Sequence, residues 1–391
     1  MKEIIVNYNN QKKDVIVVDD GVVVEKYQEL DSNKTIEGNI YLGKVIDVLP
    51  GMQAAFVDIG EEKNAFLHIK DVLPKASDIT GNKNEKLSKS KITDFIKVGM
   101  PVVVQVKKDR TETKGARVSL DLNIAGRYVA LVSNSSFITV SSKIEEKSEV
   151  ERLKNIIKED NCNSGVIIRT AAKNVDSGKI KADIENLKHI YSEIELKKEK
   201  NIKNNIFPVK LYESGGIINN VILGLIDKID RITVNNKEIY DYIINSYVEI
   251  SELVVMDSKP NIIPEYVMCQ IEKFKNRKIW LNCGGFITID KTEALTAIDV
   301  NTGKYIGKES LEQTVLKVNE EASIEIAKQI RARDIGGIII IDYIDMEEKV
   351  HEEKVKKVLA QELKKDRAKT QIIDFTPLHL LEMTRKHLYS N

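Results

Sequence analysis

The chain lacks a stretch apolar enough to cross a bilayer. No run of eighteen or more apolar residues occurs in its 391 residues, which excludes a spanning helix. It also lacks an apolar leader. The opening residues, MKEIIVNYNNQKKDVIVV, carry acidic and polar side chains where a signal peptide has its apolar segment, so a cytoplasmic location is expected. Cysteine is scarce. Cys162, Cys269 and Cys283 include no Cys-x-x-Cys pair, which predicts reduced, mostly buried thiols and excludes a cysteine-pair zinc site. An excess of positive charge is missing too: 60 Lys and Arg balance 60 Asp and Glu. A nucleic-acid ligand would therefore have to be held by local basic patches rather than by the whole surface. Low-complexity tracts and short repeats are absent. The length suffices for two or more domains with a substantial core.

The most informative stretch runs from Gly285 to Met346. Leu295 to Val300 alternates as a strand, so Ala297, Asp299 and Asn301 project from one face. Asn301-Thr302-Gly303 then breaks the strand. A second strand, Ile338 to Ile341, is apolar on both faces and reads as central, and it delivers Asp342 at its carboxyl end. An aspartate at a strand end most often caps a turn. Two of them closing strands this apolar, with an amide beside one, suit a hard cation that holds phosphate and water. Between the strands, Leu311, Val315, Val318, Ala322, Ile326 and Ile330 recur at helical spacing behind a capping box at Ser310–Gln313. Arg331 and Arg333 close that helix, where cations favour its dipole.

These segments, TEALTAIDVNTG and EEASIEIAKQIRARDIGGIIIIDYIDM, resemble the catalytic core of the ribonuclease E/G family of bacterial endoribonucleases. The resemblance implies a DNase-I-like subdomain in which two aspartates and one asparagine bind magnesium, at the positions of Asp299, Asn301 and Asp342. Manganese is the natural substitute. Asp345 ranks below them as a further acidic group, and Glu293 either supports the site or only forms a turn.

The remainder can be taken in order. Residues 1–35 read as strands, with Asp20-Gly21 as a hairpin turn, and are too short to fold alone. Residues 36–121 alternate short strands with glycine turns, as a small barrel does. That stretch resembles an OB-fold barrel of the S-one type. Phe56 and Phe66 read as core when taken alone; by the resemblance they stack bases, and Lys114 contacts RNA. Lys107, Lys108, Arg110, Arg117 and Arg127 form a locally basic edge against Asp109, Glu112 and Asp121. Residues 74–96 read as a solvated loop.

Residues 122–213 contain a helix near Glu146 to Ile157, a strand from Gly165 to Ile168 ending in Arg169-Thr170, and a charged, solvated helix from Asp183 to Lys203. A guanidinium beside a hydroxyl suits phosphate. The resemblance makes Arg169, Thr170 and Gly126 readers of an RNA 5′-monophosphate. Ala130 stands where the family has a valine, and Ser142 and Lys143 stand where it has an arginine pair, which bears on the strength of end-sensing rather than its location. Residues 214–278 are mixed α/β without a catalytic carboxylate cluster, and by the resemblance residues 279–391 form the catalytic part, with a charged helix from Glu348 to Lys365 that reads as a solvated face.

The expected architecture is α+β and multidomain: an OB-fold barrel inserted in an RNase-H-like subdomain, then a 5′-phosphate sensor and a DNase-I-like α/β catalytic subdomain. Ile372 to Lys386 matches the stretch that precedes the family's zinc link, but no cysteine follows Cys283. No zinc is therefore expected in this chain, and a homodimer, if formed, is not zinc-linked. His379, at a position usually glycine, and His387 read as surface or capping residues. The function expected is a magnesium-dependent endoribonuclease acting on single-stranded RNA in rRNA, tRNA and mRNA processing and decay, favouring 5′-monophosphorylated substrates. The alternative is an RNA-binding maturation factor with little cleavage of its own.

Overall fold

The computed structural model describes residues 1–31, 34–72, 90–111, 113–133, 135–160, 164–303 and 311–388. Its contacts divide into two units, residues 34–227 and residues 1–33 with 228–391. The N-terminal strands β1 (Lys2–Asn9), β2 (Lys12–Asp19) and β3 (Val22–Leu30) form an antiparallel meander. Asp20 and Gly21 both adopt positive φ (47° and 78°), as the tight hairpin between β2 and β3 demands.

The unit of residues 34–227 holds two sheets. β4 (Ile40–Leu49), β5 (Ala54–Asp58), β6 (Ala65–His68), β7 (Pro101–Lys108) and β8 (Arg117–Ser119) close into a five-stranded barrel through the β4–β7 pairing, compatible with an OB-fold. Val45, Val57, Leu67, Val104 and Val118 fill it. Of the stretch expected as a solvated loop, residues 74–89 lie outside the described residues, but Ile92 and Ile96 are buried against the barrel core. The second sheet comprises β9 (Asn123–Ala125), β10 (Val129–Val132), β11 (Ile138–Val140) and β12 (Gly165–Ile168), in the order β11-β12-β10-β9. Helices α1 (Lys147–Glu159) and α2 (Ser177–Lys203) cover it. α2 is not the solvated helix its charge suggested: Ile180, Ile184, Leu187 and Ile194 are buried along one side. β13 (Val209–Tyr212) joins the barrel beside β4, and the apolar helix α3 (Gly216–Leu225) follows.

In the other unit, β14 (Arg231–Val234), helix α4 (Lys237–Ser246) and β15 (Val254–Met256) return to the meander, with β14 parallel to β1. Helix α5 (Glu265–Lys273) packs Val267 and Ile271 on Ile5, Ile16 and Val23. Then comes the sheet that organises this unit. It uses β16 (Lys278–Trp280), β17 (Phe286–Lys291), β18 (Leu295–Asn301), β19 (Gly337–Asp342), β20 (Thr370–Phe375) and β21 (Leu380–Arg385), in the order β16-β17-β18-β19-β21-β20. Helices α6 (Leu311–Ala332) and α7 (Lys349–Leu363) pack on one face only. The expected strand 338–341 is indeed interior, but only Ile339 and Ile341 are buried; Ile338 is 51% exposed. The helical face expected for α6 holds, with Val315, Val318, Ala322, Ile326 and Ile330 buried, whereas Ser310 lies outside the described residues. α7 is likewise amphipathic rather than a purely solvated face, burying Val355, Leu359 and Leu363.

The C-terminal stretch that matches the family segment before its zinc link forms the β20–β21 hairpin. His379 there has φ +59°, which explains why glycine suits the position, and its Nδ1 lies 2.9 Å from Glu352. His387 Nδ1 is 3.0 Å from the Asp334 carbonyl. Cys269 is exposed, contrary to the expectation of buried thiols; Cys283 is half-buried, and Cys162 lies outside the described residues.

The side chain of Arg385 on β21 is completely buried between Asp334 (2.7 Å) and Asp366 (2.8 Å). Arg385→Ala leaves two buried carboxylates without their cation, a loss of roughly 3–5 kcal/mol in urea unfolding. A loss under about 1 kcal/mol would mean that the cluster behaves as a surface ion pair.

Candidate active site

β18 and β19 run parallel, and their register sets Asp299 directly opposite Asp342. Both residues are exposed, on the sheet face away from α6 and α7. Adjacent strands lie about 4.8 Å apart, so two carboxylates in register share one small volume. Alternation puts Asn301 on the same face, and its Nδ2 donates to Asp299 Oδ2 at 2.5 Å. Burial, then the charges of Asp299 and Asp345, push the Asp342 carboxyl above its ordinary value. Asp345 thus stands near enough to be felt, while Glu293 lies in the turn joining β17 to β18, at the end of the strand remote from Asp299.

Helix α6 fixes where this acidic end points. The carboxamide of Asn319, wholly buried, brackets the backbone of Ile344, donating to its carbonyl at 2.8 Å and accepting from its N–H at 3.2 Å. Ser323, also wholly buried, pairs its hydroxyl with Tyr343 at 2.7 Å. Two residues beyond Asp342 are therefore clamped from beneath. Arg331 and Arg333 do more than face the helix dipole: Arg331 donates to the Val24 carbonyl and Arg333 to that of Asn276.

Among the described residues, no three or more His, Cys, Asp or Glu side chains converge as a metal-ligand group. Two carboxylates and an amide are too few for a closed structural cage. They match the donor set of magnesium, which keeps several waters and binds through one or two carboxylates plus substrate phosphate. The charges of Asp299 and Asp345, which add to burial in raising the Asp342 carboxyl, are ones a divalent cation would offset.

In the unit of residues 34–227, Arg169 Nη1 donates to the Gly126 carbonyl at 2.5 Å, so two of the expected phosphate readers are in direct contact. Thr170 is exposed, and its hydroxyl lies 2.9 Å from that of Ser141, a partner not singled out from sequence. A side chain at Gly126 would displace the Asp183 carboxylate, since a Cβ would stand 2.5 Å from its Oδ1. The Asp183 carboxylate accepts from the successive backbone N–H groups of Arg127, Tyr128 and Val129 (3.1, 2.8 and 3.1 Å), an internal anion that fixes the loop. Ser142 and Lys143 are both exposed beside Ser141, and Ala130 is buried in β10.

On the barrel, Phe56 and Phe66 are cross-strand partners, both half-buried, with ring centroids 6.0 Å apart and planes at 65°. Neither belongs to the barrel core. His68 extends the strip, 6.3 Å from Phe66. Lys114 is exposed in the turn between β7 and β8. The basic edge is more neutralised than its composition suggested: Arg117 pairs with Asp71, Arg110 with Glu61 and Asp109, and Arg127 with Asp227.

A model of the Ribonuclease E/G family matches residues 123–388. The Ribonuclease G of Salmonella typhimurium (strain SL1344) is 38% identical over 394 aligned positions, covering 98% of this chain and 79% of that protein. The Ribonuclease G of Escherichia coli (strain K12) is 37% identical with the same coverage. The Ribonuclease E of Nostoc sp. is 33% identical over 366 positions, covering 90% of this chain and 52% of that protein.

The facing of the two aspartates can be tested without any ligand. In a chelator, carboxyl-carbon NMR of the Asp299→Asn protein should show the Asp342 pKa falling back toward the ordinary range. Because a folded-state pKa above the unfolded value destabilises the fold once the group ionises, Asp342→Asn should raise rather than lower the melting temperature at neutral pH. An Asp342 titration unmoved by Asp299→Asn would show that the carboxylates do not face each other.

Proposed function

The chain belongs to the ribonuclease E/G family and is an endoribonuclease; from that premise we propose that it cleaves single-stranded RNA with magnesium at the Asp299–Asp342 face. The observation that carries this reading is the register of β18 and β19, which pairs two carboxylates on an uncovered sheet face. Asp299 and Asp342 would hold the cation. When bound, magnesium supplies the positive charge a phosphodiester needs as negative charge builds on its oxygens, and activates water for in-line attack. Asn301, oriented through Asp299, keeps a second amide N–H for a phosphate oxygen. Asp345 stays close enough to bias Asp342 without being required as a ligand.

The preference for a 5′-monophosphate rests on Arg169 and Thr170, with Ser141 as a third polar group. Arg169 offers a planar fork already oriented by one backbone carbonyl, and Thr170 a hydroxyl beside it. Phe56 and Phe66 offer ring surface for bases, where stacking contributes about 1–3 kcal/mol per base, and Lys114 a phosphate contact. The family resemblance implies 5′-phosphate and 3′-hydroxyl ends, which require that attacking water expel the 3′-oxygen, the leaving oxygen taking up a proton. No helix among the described residues is long and apolar enough to cross a membrane.

With a 5′-monophosphorylated, AU-rich single strand and magnesium, Asp299→Asn and Asp342→Asn should each lower cleavage by roughly 10²-fold or more while RNA binding persists. Equal cutting by wild type and both variants would remove the proposed metal site. Arg169→Lys, which keeps charge but loses the fork, should narrow the rate difference between 5′-monophosphate and 5′-hydroxyl substrates and leave cutting of the hydroxyl substrate unchanged. An undiminished preference would move end-sensing elsewhere.

A further inference from the structure

The active face of the sheet carries a second cluster that the reading above does not use. Trp280, the single tryptophan of the chain, stands on the edge strand β16 with 58% of its surface exposed. Its ring meets Phe286 of β17 at 5.3 Å between centroids and 63° between planes. The Lys278 ammonium lies 3.5 Å from the Phe286 centroid and 4.3 Å from that of Trp280. No carboxylate among the described residues pairs with Lys278.

Register relates this cluster to the carboxylates. Lys278 opposes Thr288, Thr288 opposes Asp299, and Asp299 opposes Asp342, one cross-strand row on the uncovered face. Trp280 opposes Phe286, and Phe286 opposes Asn301, the neighbouring row. With strands about 4.8 Å apart, Trp280 and Lys278 stand two strands, about 10 Å, from Asn301 and Asp299. That is within the reach of a nucleotide next to the scissile phosphate.

The cluster is held in place. The turn after Trp280 is bonded by Leu281 N–H to the Gly285 carbonyl at 2.8 Å, and Glu321 of α6 accepts from the N–H groups of Asn282 and Cys283. Gly303, at φ +61°, closes against the rings, since a Cβ there would stand 3.3 Å from Phe286, 3.4 Å from Trp280 and 2.5 Å from the Gly284 carbonyl. An exposed Trp280 braced by the half-buried Phe286, beside a cation that no carboxylate among the described residues pairs with, has the chemistry of a single-strand stacking platform: a π-face for a base and an ammonium for its phosphate.

We propose that Trp280 and Phe286 form a shelf on which one base flanking the cleaved bond stacks, with Lys278 taking the phosphate of that nucleotide. This rests on the nuclease reading and adds a subsite to it. Stacking that is equal in ground and transition states raises KM and leaves kcat alone when removed. Trp280→Ala should therefore raise KM roughly tenfold with kcat within about twofold, and Trp280→Phe should recover most of the loss.

The single tryptophan gives a readout independent of cleavage. In the cleavage-disabled Asp342→Asn protein, emission from Trp280 should be quenched by a single-stranded RNA oligonucleotide along the same curve as the anisotropy of the labelled RNA. One abasic position scanned across the cut site should abolish the quench at a single register only. RNA bound by anisotropy with unchanged emission, or a quench indifferent to every abasic position, would overturn the shelf and leave the nuclease reading standing. Emission that responds to protein dilution and not to RNA would assign the rings to a second copy of the chain and likewise overturn it. Absence of RNA binding altogether would overturn both.

Discussion

Two like charges held side by side set the constraint on the six-stranded sheet. Burial first, and then the neighbouring charges of Asp299 and Asp345, push the Asp342 carboxyl above its ordinary value. Such a pair persists only where the backbone leaves no alternative. Here the constraint is the parallel β18–β19 ladder, backed by Ile298, Val300, Ile339 and Ile341 against α6 and α7. Each fully buried aliphatic side chain contributes about 1.5–3 kcal/mol, so the apolar face far outweighs the local repulsion on the other face. The sheet is two-faced in the strict sense: one side supplies cohesion, the other presents the two carboxylates.

Helix α6 links the two. Asn319 and Ser323 hold the backbone leaving Asp342, and Glu321 holds the turn leaving Trp280. Buried polar side chains on a helix cost stability unless satisfied, and Asn319 and Ser323 are satisfied by the segment that follows Asp342. Asn319 and Ser323 are thus explained by positioning rather than by packing. Asp183 does the same in the other unit, spending its charge on three amides so that Gly126 and its neighbours keep one conformation.

What was legible in the sequence was what alternation and helical spacing write locally. The strands bearing Asp299 and Asp342, the buried stripe of α6, the closed barrel and the early hairpin all follow from periodicity and turn residues. The family resemblance then named the polar positions. What was not legible was pairing across long separations. Ser141 meets Thr170 and Asp183 meets the 127–129 amides only because β10, β11 and β12 assemble, and no local pattern announces either contact. Charge misled in the other direction. α2 and α7 read as solvated because lysine and glutamate dominate them, while a narrow row of isoleucine, leucine or valine in each was enough to bury one side. The β20–β21 hairpin was missed because its residues are only half apolar, its β21 half being completed by the buried Arg385.

The position of β21 has a consequence for how the enzyme comes into being. β19, which carries Asp342, is flanked on one side by β18 and on the other by β21, a strand made only after residue 380 has been added. A chain emerging from the ribosome therefore holds both aspartates long before the strand that locks the second one arrives. Assembly of this sheet waits until Leu380–Arg385 have been added, and until then Asp342 stands on a strand that lacks one of its two neighbours.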